Sequence, residues 1–267
     1  MAAAASPWTL SGRVAKLSSG EFSAAVDVEH PGRGVQNVAW GGRPIAAVRH
    51  LLALNELGPR PCDLVRPIED CYARGRDLVA VYAESPQYPL RYVLYWRTLG
   101  EEQLCGAAAG LDVVVSVQTS ILDATPAAFL GSDVSAETVF RLTEPEHIWT
   151  PVASRHLGTA PDAAGGASRG DTFLCDLDGS DWSYAEMIHP RDQMPGDALA
   201  LDHPPSPDAP AAAPLVRTSH RVLGLRLEKG VLLRARLRAI LAPRQSARDV
   251  ALASRAQFHR AELPLTA

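Results

Sequence analysis

The sequence predicts an all-β protein, and three observations carry the prediction. Apolar residues alternate with polar ones at period two in many separate stretches. Turn-forming Gly, Pro, Asn and Asp clusters punctuate those stretches. Helical periodicity is scarce until the C-terminus. Some ten strand candidates at this chain length predict a large antiparallel β-sandwich, with a supersandwich as the larger variant. A C-terminal helix and two long loop insertions complete the expected architecture.

The elements follow in order. Phe22, Ala24, Val26 and Val28 share one face of a strand, opposite Ser23, Ala25 and Asp27. The stretch 46–58, "AAVRHLLALNELG", fits a helix ending at Gly58 or a strand with a turn at Asn55, and the turn-like "GGRP" before it and "GPRP" after it favour the strand. Gly75, between Arg74 and Arg76, marks a turn that opens the short apolar strand Leu78–Ala83. In Leu90–Arg97, Leu90, Tyr92, Leu94 and Trp96 face one way, and Leu111–Leu122 is β-branched enough for a central strand. Strands are expected again at Ser183–Ile188, His220–Leu227 and Val231–Leu241, with Lys229–Gly230 as a tight hairpin turn between the last two. From Ser246, with Asp249 three residues on, the chain turns helical. Val250, Ala253 and Gln257 give that helix a thin apolar face suited to a sheet edge. The pattern stays β on both sides of the Gly-rich insertion at about 157–171 and of the Pro/Ala-rich one at about 194–216. The expectation is therefore one β-rich domain over 1–267.

Composition narrows function. With 46% hydrophobic and 21% charged residues and a formal charge of −4, the chain lacks the concentrated basic surface that nucleic acid or an anionic membrane requires. No apolar run approaches the ~20 residues of a membrane span, and the start lacks signal-peptide character. A soluble, cytoplasmic protein is expected. Its four cysteines, Cys62, Cys71, Cys105 and Cys175, are read as reduced thiols. No phosphate-binding Gly-rich loop, dinucleotide fingerprint, zinc motif or nucleophile elbow occurs. The eight histidines are scattered, so neither cofactor nor metal is expected.

The richest stretch for chemistry is residues 181–192, "DWSYAEMIHPRD". As a strand it places Trp182, Tyr184, Glu186 and Ile188 on one face, with His189 just beyond its end. Aromatic rings beside a carboxylate suit a sugar groove, with Glu186 and His189 as the catalytic pair. The plainer reading makes Trp182 and Tyr184 core residues and Glu186 an ion-pair partner. Arg74, Arg76 and Arg97 would clamp an anionic or polyhydroxylated ligand, or else pair with Glu69, Asp70 and Asp77. Gln118, on an apolar strand, needs partners if buried. Arg234, Arg236 and Arg238 repeat at about 6.6–6.8 Å along one face, a spacing that allows an anionic-ligand surface, an interface or, most commonly, cross-strand pairing with acidic side chains.

Many antiparallel strands bearing polar and aromatic rows make the chain similar to large β-sandwich proteins that act on carbohydrates, aldose-epimerase-like ones among them. The resemblance is architectural and assigns no catalytic residue. It implies a carbohydrate-related role. Two functions are therefore expected: a binding module for a carbohydrate or protein partner, or a carbohydrate-active isomerase, lyase or hydrolase with a Glu/His/Arg site.

Overall fold

The computed structural model describes residues 6–56, 64–86, 89–143, 147–152, 172–194, 198–202 and 214–262. Six strands open the chain: β1 (Trp8–Ser11), β2 (Val14–Ser19), β3 (Phe22–Asp27), β4 (Val35–Trp40), β5 (Arg43–Pro44) and β6 (Val48–Asn55). Then come β7 (Ile68–Arg74), β8 (Asp77–Tyr82), β9 (Arg91–Thr98), the short helix α1 (Glu101–Leu104) and β10 (Ala109–Gln118). The next strands are β11 (Asp123–Ala124), β12 (Ala128–Thr143), β13 (Ile148–Pro151), β14 (Thr172–Leu177) and β15 (Trp182–Ile188). The chain closes with β16 (Ala198–Asp202), β17 (Leu215–Leu223), β18 (Leu227–Glu228), β19 (Leu233–Pro243) and helix α2 (Ala247–Arg260).

Every ladder is antiparallel, as the alternation predicts. Strands β1, β2, β3, β4 and β6 run side by side as one sheet. A second sheet is ordered β6–β12–β17–β16. The third is ordered β7–β8–β9–β10–β19–β15–β14–β12–β13. Strand β12 belongs to two sheets. Its first half pairs with β6 and β17, and its second half with β13 and β14. Register shifts around Asp133 let β12 turn between them, the usual role of a bulge. Gly131 sits there by necessity, because a Cβ would lie 2.0 Å from the Thr218 carbonyl oxygen of β17.

Apolar faces of the three sheets meet in one core that includes Leu17, Val26, Leu54, Leu94, Trp96, Val113, Leu130, Tyr184 and Leu237. A second apolar cluster lies on the other side of the third sheet, where Ala185, Met187 and Ile240 meet Val250, Ala251 and Phe258 of α2. The middle of this sheet is thus buried on both faces.

Several local expectations change. Helix α2 packs on the face of β14, β15 and β19 and not on an edge. Its buried stripe is Ala247, Val250, Ala251, Ser254, Arg255 and Phe258, while Ala253 is exposed. Gly230 has the positive φ expected of it, +83°, and Val231 N–H donates to the Glu228 carbonyl at 3.0 Å. However, β18 pairs with β11 and not with β19, so the turn is no hairpin. The Pro/Ala-rich insertion contains a strand, β16, on the edge of β17. The insertion at 157–171 and Cys62 fall outside the described residues, and Cys71, Cys105 and Cys175 are free thiols.

Candidate functional site

Alternation along β15 sends Tyr184 and Glu186 between the sheets and Ala185 and Met187 toward α2. Glu186 is 0% exposed. An unaccompanied carboxylate there would cost several kcal/mol, so its partners decide whether it is tolerated. Tyr184 donates its hydroxyl to Glu186 Oε2 at 2.6 Å, and the Ser132 hydroxyl donates to the same oxygen. His220 Nε2 stands 2.9 Å from Oε1. Ser132 is itself held from two sides. Its Oγ accepts the Leu52 N–H at 3.0 Å, and its own N–H donates to Thr218 Oγ1 at 2.9 Å. Leu52 adopts φ +54°, uncommon for a residue with a Cβ, and thereby turns its N–H toward that hydroxyl. The Phe173 ring packs against His220 with centroids 5.7 Å apart.

Burial pushes the Glu186 pKa up. The His220 hydrogen bond and charge, helped by the Ser132 and Thr218 hydroxyls, outweigh it and hold the carboxyl below its ordinary value of 4.5. Burial, followed by the neighbouring carboxylate, drives the Tyr184 phenol far above its usual range. The cluster is a charged acceptor enclosed by donors from β12, β15 and β17. It joins the two layers of the sandwich and has no opening to solvent at Glu186.

A second polar group lies on the opposite face of the second sheet. Since Thr218 and His220 point inward, Arg217 and Ser219 point outward. Register sets Asp133 beside both Arg217 and His50. Arg217 donates to the Asp133 carboxylate through Nε and Nη2, each at 3.0 Å, and His50 Nε2 lies 3.7 Å from Asp133 Oδ1. The side chains of His50 and Arg217 keep 14% and 21% of their surface exposed. Burial is the main cause that lowers the His50 pKa, with the Asp133 charge opposing it, which leaves a neutral imidazole at pH 7. Ser219 Oγ, on the same face, is buried and has no hydrogen-bond partner among the described residues. A row offering carboxylate, guanidinium and imidazole holds donors and acceptors in fixed places, as recognition of a polyhydroxylated molecule requires.

The residues singled out from sequence are dispersed. His189 is buried on the α2 side of the sheet. Its Nε2 stands 3.2 Å from the His259 carbonyl, its Nδ1 accepts the Arg191 N–H at 3.3 Å, and Phe258 packs on its ring. It therefore shares no surroundings with Glu186. Trp182 is half-buried against Trp40, with ring centroids 5.0 Å apart. Arg97 forms a fork with Asp77 at 2.6 and 2.7 Å, Arg74 is exposed on the β7–β8 hairpin, and the Arg76 side chain crosses Gly100. Gln118 lies opposite Arg91, at the other end of β9 from Arg97, about 20 Å away at strand spacing. Two arginines of the row, Arg236 and Arg238, meet acids. Arg238 is bidentate to Asp112 at 2.7 and 2.9 Å, directly across the β10–β19 ladder. Arg236 takes Asp192 at 3.3 Å and the Ala261 carbonyl at 2.8 Å.

Sequence reasoning missed His50, Ser132, Asp133, Arg217, Thr218 and His220. The one signal available was "VRTSHRV" (216–222), a strand polar on both faces, which an ordinary half-solvated strand does not show.

No family model matches the chain, and no curated protein matches it in sequence. Solved structures do share its fold. One is the Escherichia coli K12 "putative aldose 1-epimerase" b2544, at 11% identity and TM-score 0.53, with 85% of this chain and 98% of that one covered. Another is a "putative aldose 1-epimerase" from Klebsiella pneumoniae, at 9% identity and TM-score 0.55, covering 97% and 90%. A TPR-domain containing protein from Parabacteroides distasonis also matches, at 9% identity and TM-score 0.55, over 86% of this chain and 47% of that one. At such identities the likeness is one of fold alone: the chain shares a large antiparallel β-sandwich with these structures.

Proposed function

We propose that the chain binds a carbohydrate on the outer face of the β6–β12–β17 sheet, with His50, Asp133 and Arg217 as contact groups. The observation that carries this reading is the partly exposed His50–Asp133–Arg217 row. The names of two fold relatives, each a putative aldose 1-epimerase, favour a sugar over other polyhydroxylated molecules. Glu186 then acts as a brace, since it fixes Ser132 and Thr218, the residues next to Asp133 and Arg217.

Calorimetric titration with aldohexoses and short oligosaccharides tests the site. Binding to wild type is expected to weaken about tenfold or more in Asp133→Asn and in Arg217→Gln, the worth of one or two hydrogen bonds. Absence of binding to any sugar, or equal binding by both variants, rejects the reading. A second reading, acid–base catalysis on the bound sugar, is favoured by the neutral His50 imidazole beside a carboxylate. It predicts that the protein accelerates interconversion of aldose anomers, followed by polarimetry, and that His50→Asn abolishes the acceleration while binding persists.

A further inference from the structure

Ten large hydrophobic side chains are exposed among the described residues, and five of them come from two loops at one end of the third sheet. They are Ile121, Leu122, Leu225, Val231 and Leu232, with Leu122 84% exposed. The β11–β18 ladder ties the loops together. It pairs Asp123 with Glu228, which sets Ile121 and Leu122 alongside Lys229 and Gly230. The β10–β19 ladder pairs Val117 with Leu233, which brings Leu232 to the same end. Scattered exposed leucines need no explanation, but a clustered set on two tethered loops does.

We propose that this end of the molecule is a two-fold interface with a second copy of the chain. The rim decides the occupant. Asp123 and Arg226 flank the patch as an exposed ion pair at 2.9 Å, and Glu228 and Lys229 follow them, two charges of each sign. An anionic lipid surface calls for an excess of cations, and a strongly charged partner for one sign. A two-fold contact instead calls for both signs in adjacent positions, so that Glu228 of one copy meets the partner's Lys229. The outer edges of β11 and β18 carry no ladder partner among the described residues. Antiparallel addition of one such edge to its two-fold mate satisfies both. The interface does not depend on the sugar site.

Sedimentation velocity of the full chain, from low to high micromolar concentration, is the test. Wild type is expected to dimerise. Leu122→Asp with Leu232→Asp should raise the dimer dissociation constant more than about tenfold while the melting temperature stays unchanged. Should that variant fold poorly, charge exchange decides. Glu228→Lys is expected to weaken the dimer, and Glu228→Lys with Lys229→Glu to restore it. A monomer at every wild-type concentration, or a dimer indifferent to all these changes, overturns the proposal.

Discussion

Strand β15 and its neighbour β19 lie between two buried charged sites of opposite design. On the inner side a single carboxylate, Glu186, is enclosed by hydroxyls and an imidazole from three strands of two sheets. On the outer side two guanidinium groups, Arg236 and Arg238, reach Asp112, Asp192, Gln257 and a carbonyl beyond the end of α2. The inner site clamps sheet to sheet, and every partner it has belongs to the core. The outer site fastens one helix to one sheet, and Asp112 keeps 14% of its side chain in solvent. Loss of the first should therefore be global and loss of the second local, because Asp112 can be rehydrated when the helix lifts whereas His220 cannot.

Glu186→Leu gives the largest effect expected. It leaves His220 and two hydroxyls buried without their acceptor and should cost about 3–5 kcal/mol in urea unfolding. A cost below about 1 kcal/mol, the worth of an exposed pair, would remove the basis of the comparison. Arg238→Met keeps the bulk of the stem and should cost about 2 kcal/mol, the scale of hydrogen bonds to a charged group. Its signature is faster amide exchange confined to α2; uniform acceleration would mean that the two sites are one unit.

Acid should separate the sites further. The folded pKa of Glu186 lies below its unfolded value of about 4.5. The folded state then binds fewer protons, and the stability Glu186 confers above 4.5 is lost as pH falls through its folded pKa. Asp192 has the reverse sign. Burial raises its pKa despite Arg236, so its contribution improves as pH falls through that raised value. Glu186→Gln should flatten the acid limb of the melting temperature against pH, and Asp192→Asn should remove the gain that its raised pKa gives as pH falls. Arg74→Ala, on the exposed hairpin, should fall within about 0.5 kcal/mol of wild type.

Much of the β architecture was legible because alternation is a local property. The strand at Phe22–Asp27 and the shared face of Tyr184 and Glu186 both follow from it, whereas the strand at Val48–Asn55 was marked by the turn-like residues around it. What surrounds a face is not local. The partners of Glu186 come from Ser132 and His220, and nothing near Glu186 in sequence announces them. The same limit misplaced α2. Ser254 and Arg255 lie on its buried side, and the surface the helix covers belongs to β14, β15 and β19, strands whose faces the helix sequence does not announce. The arginine spacing allowed acidic partners without naming them. The β10–β19 register, which the sequence does not state, sets Asp112 opposite Arg238, and Asp192 comes from a loop outside any ladder.

Strand β12 imposes a condition on how fast the molecule assembles. Ser132 bonds to Leu52, 80 residues earlier, and to Thr218, 86 residues later. Its strand therefore stays half-paired on the ribosome until the chain past Thr218 has emerged. Contacts of such separation close late and slowly, on a scale of milliseconds to seconds or longer. Through that interval the unpaired side of β12 is the edge that a chaperone, or another nascent copy, meets first.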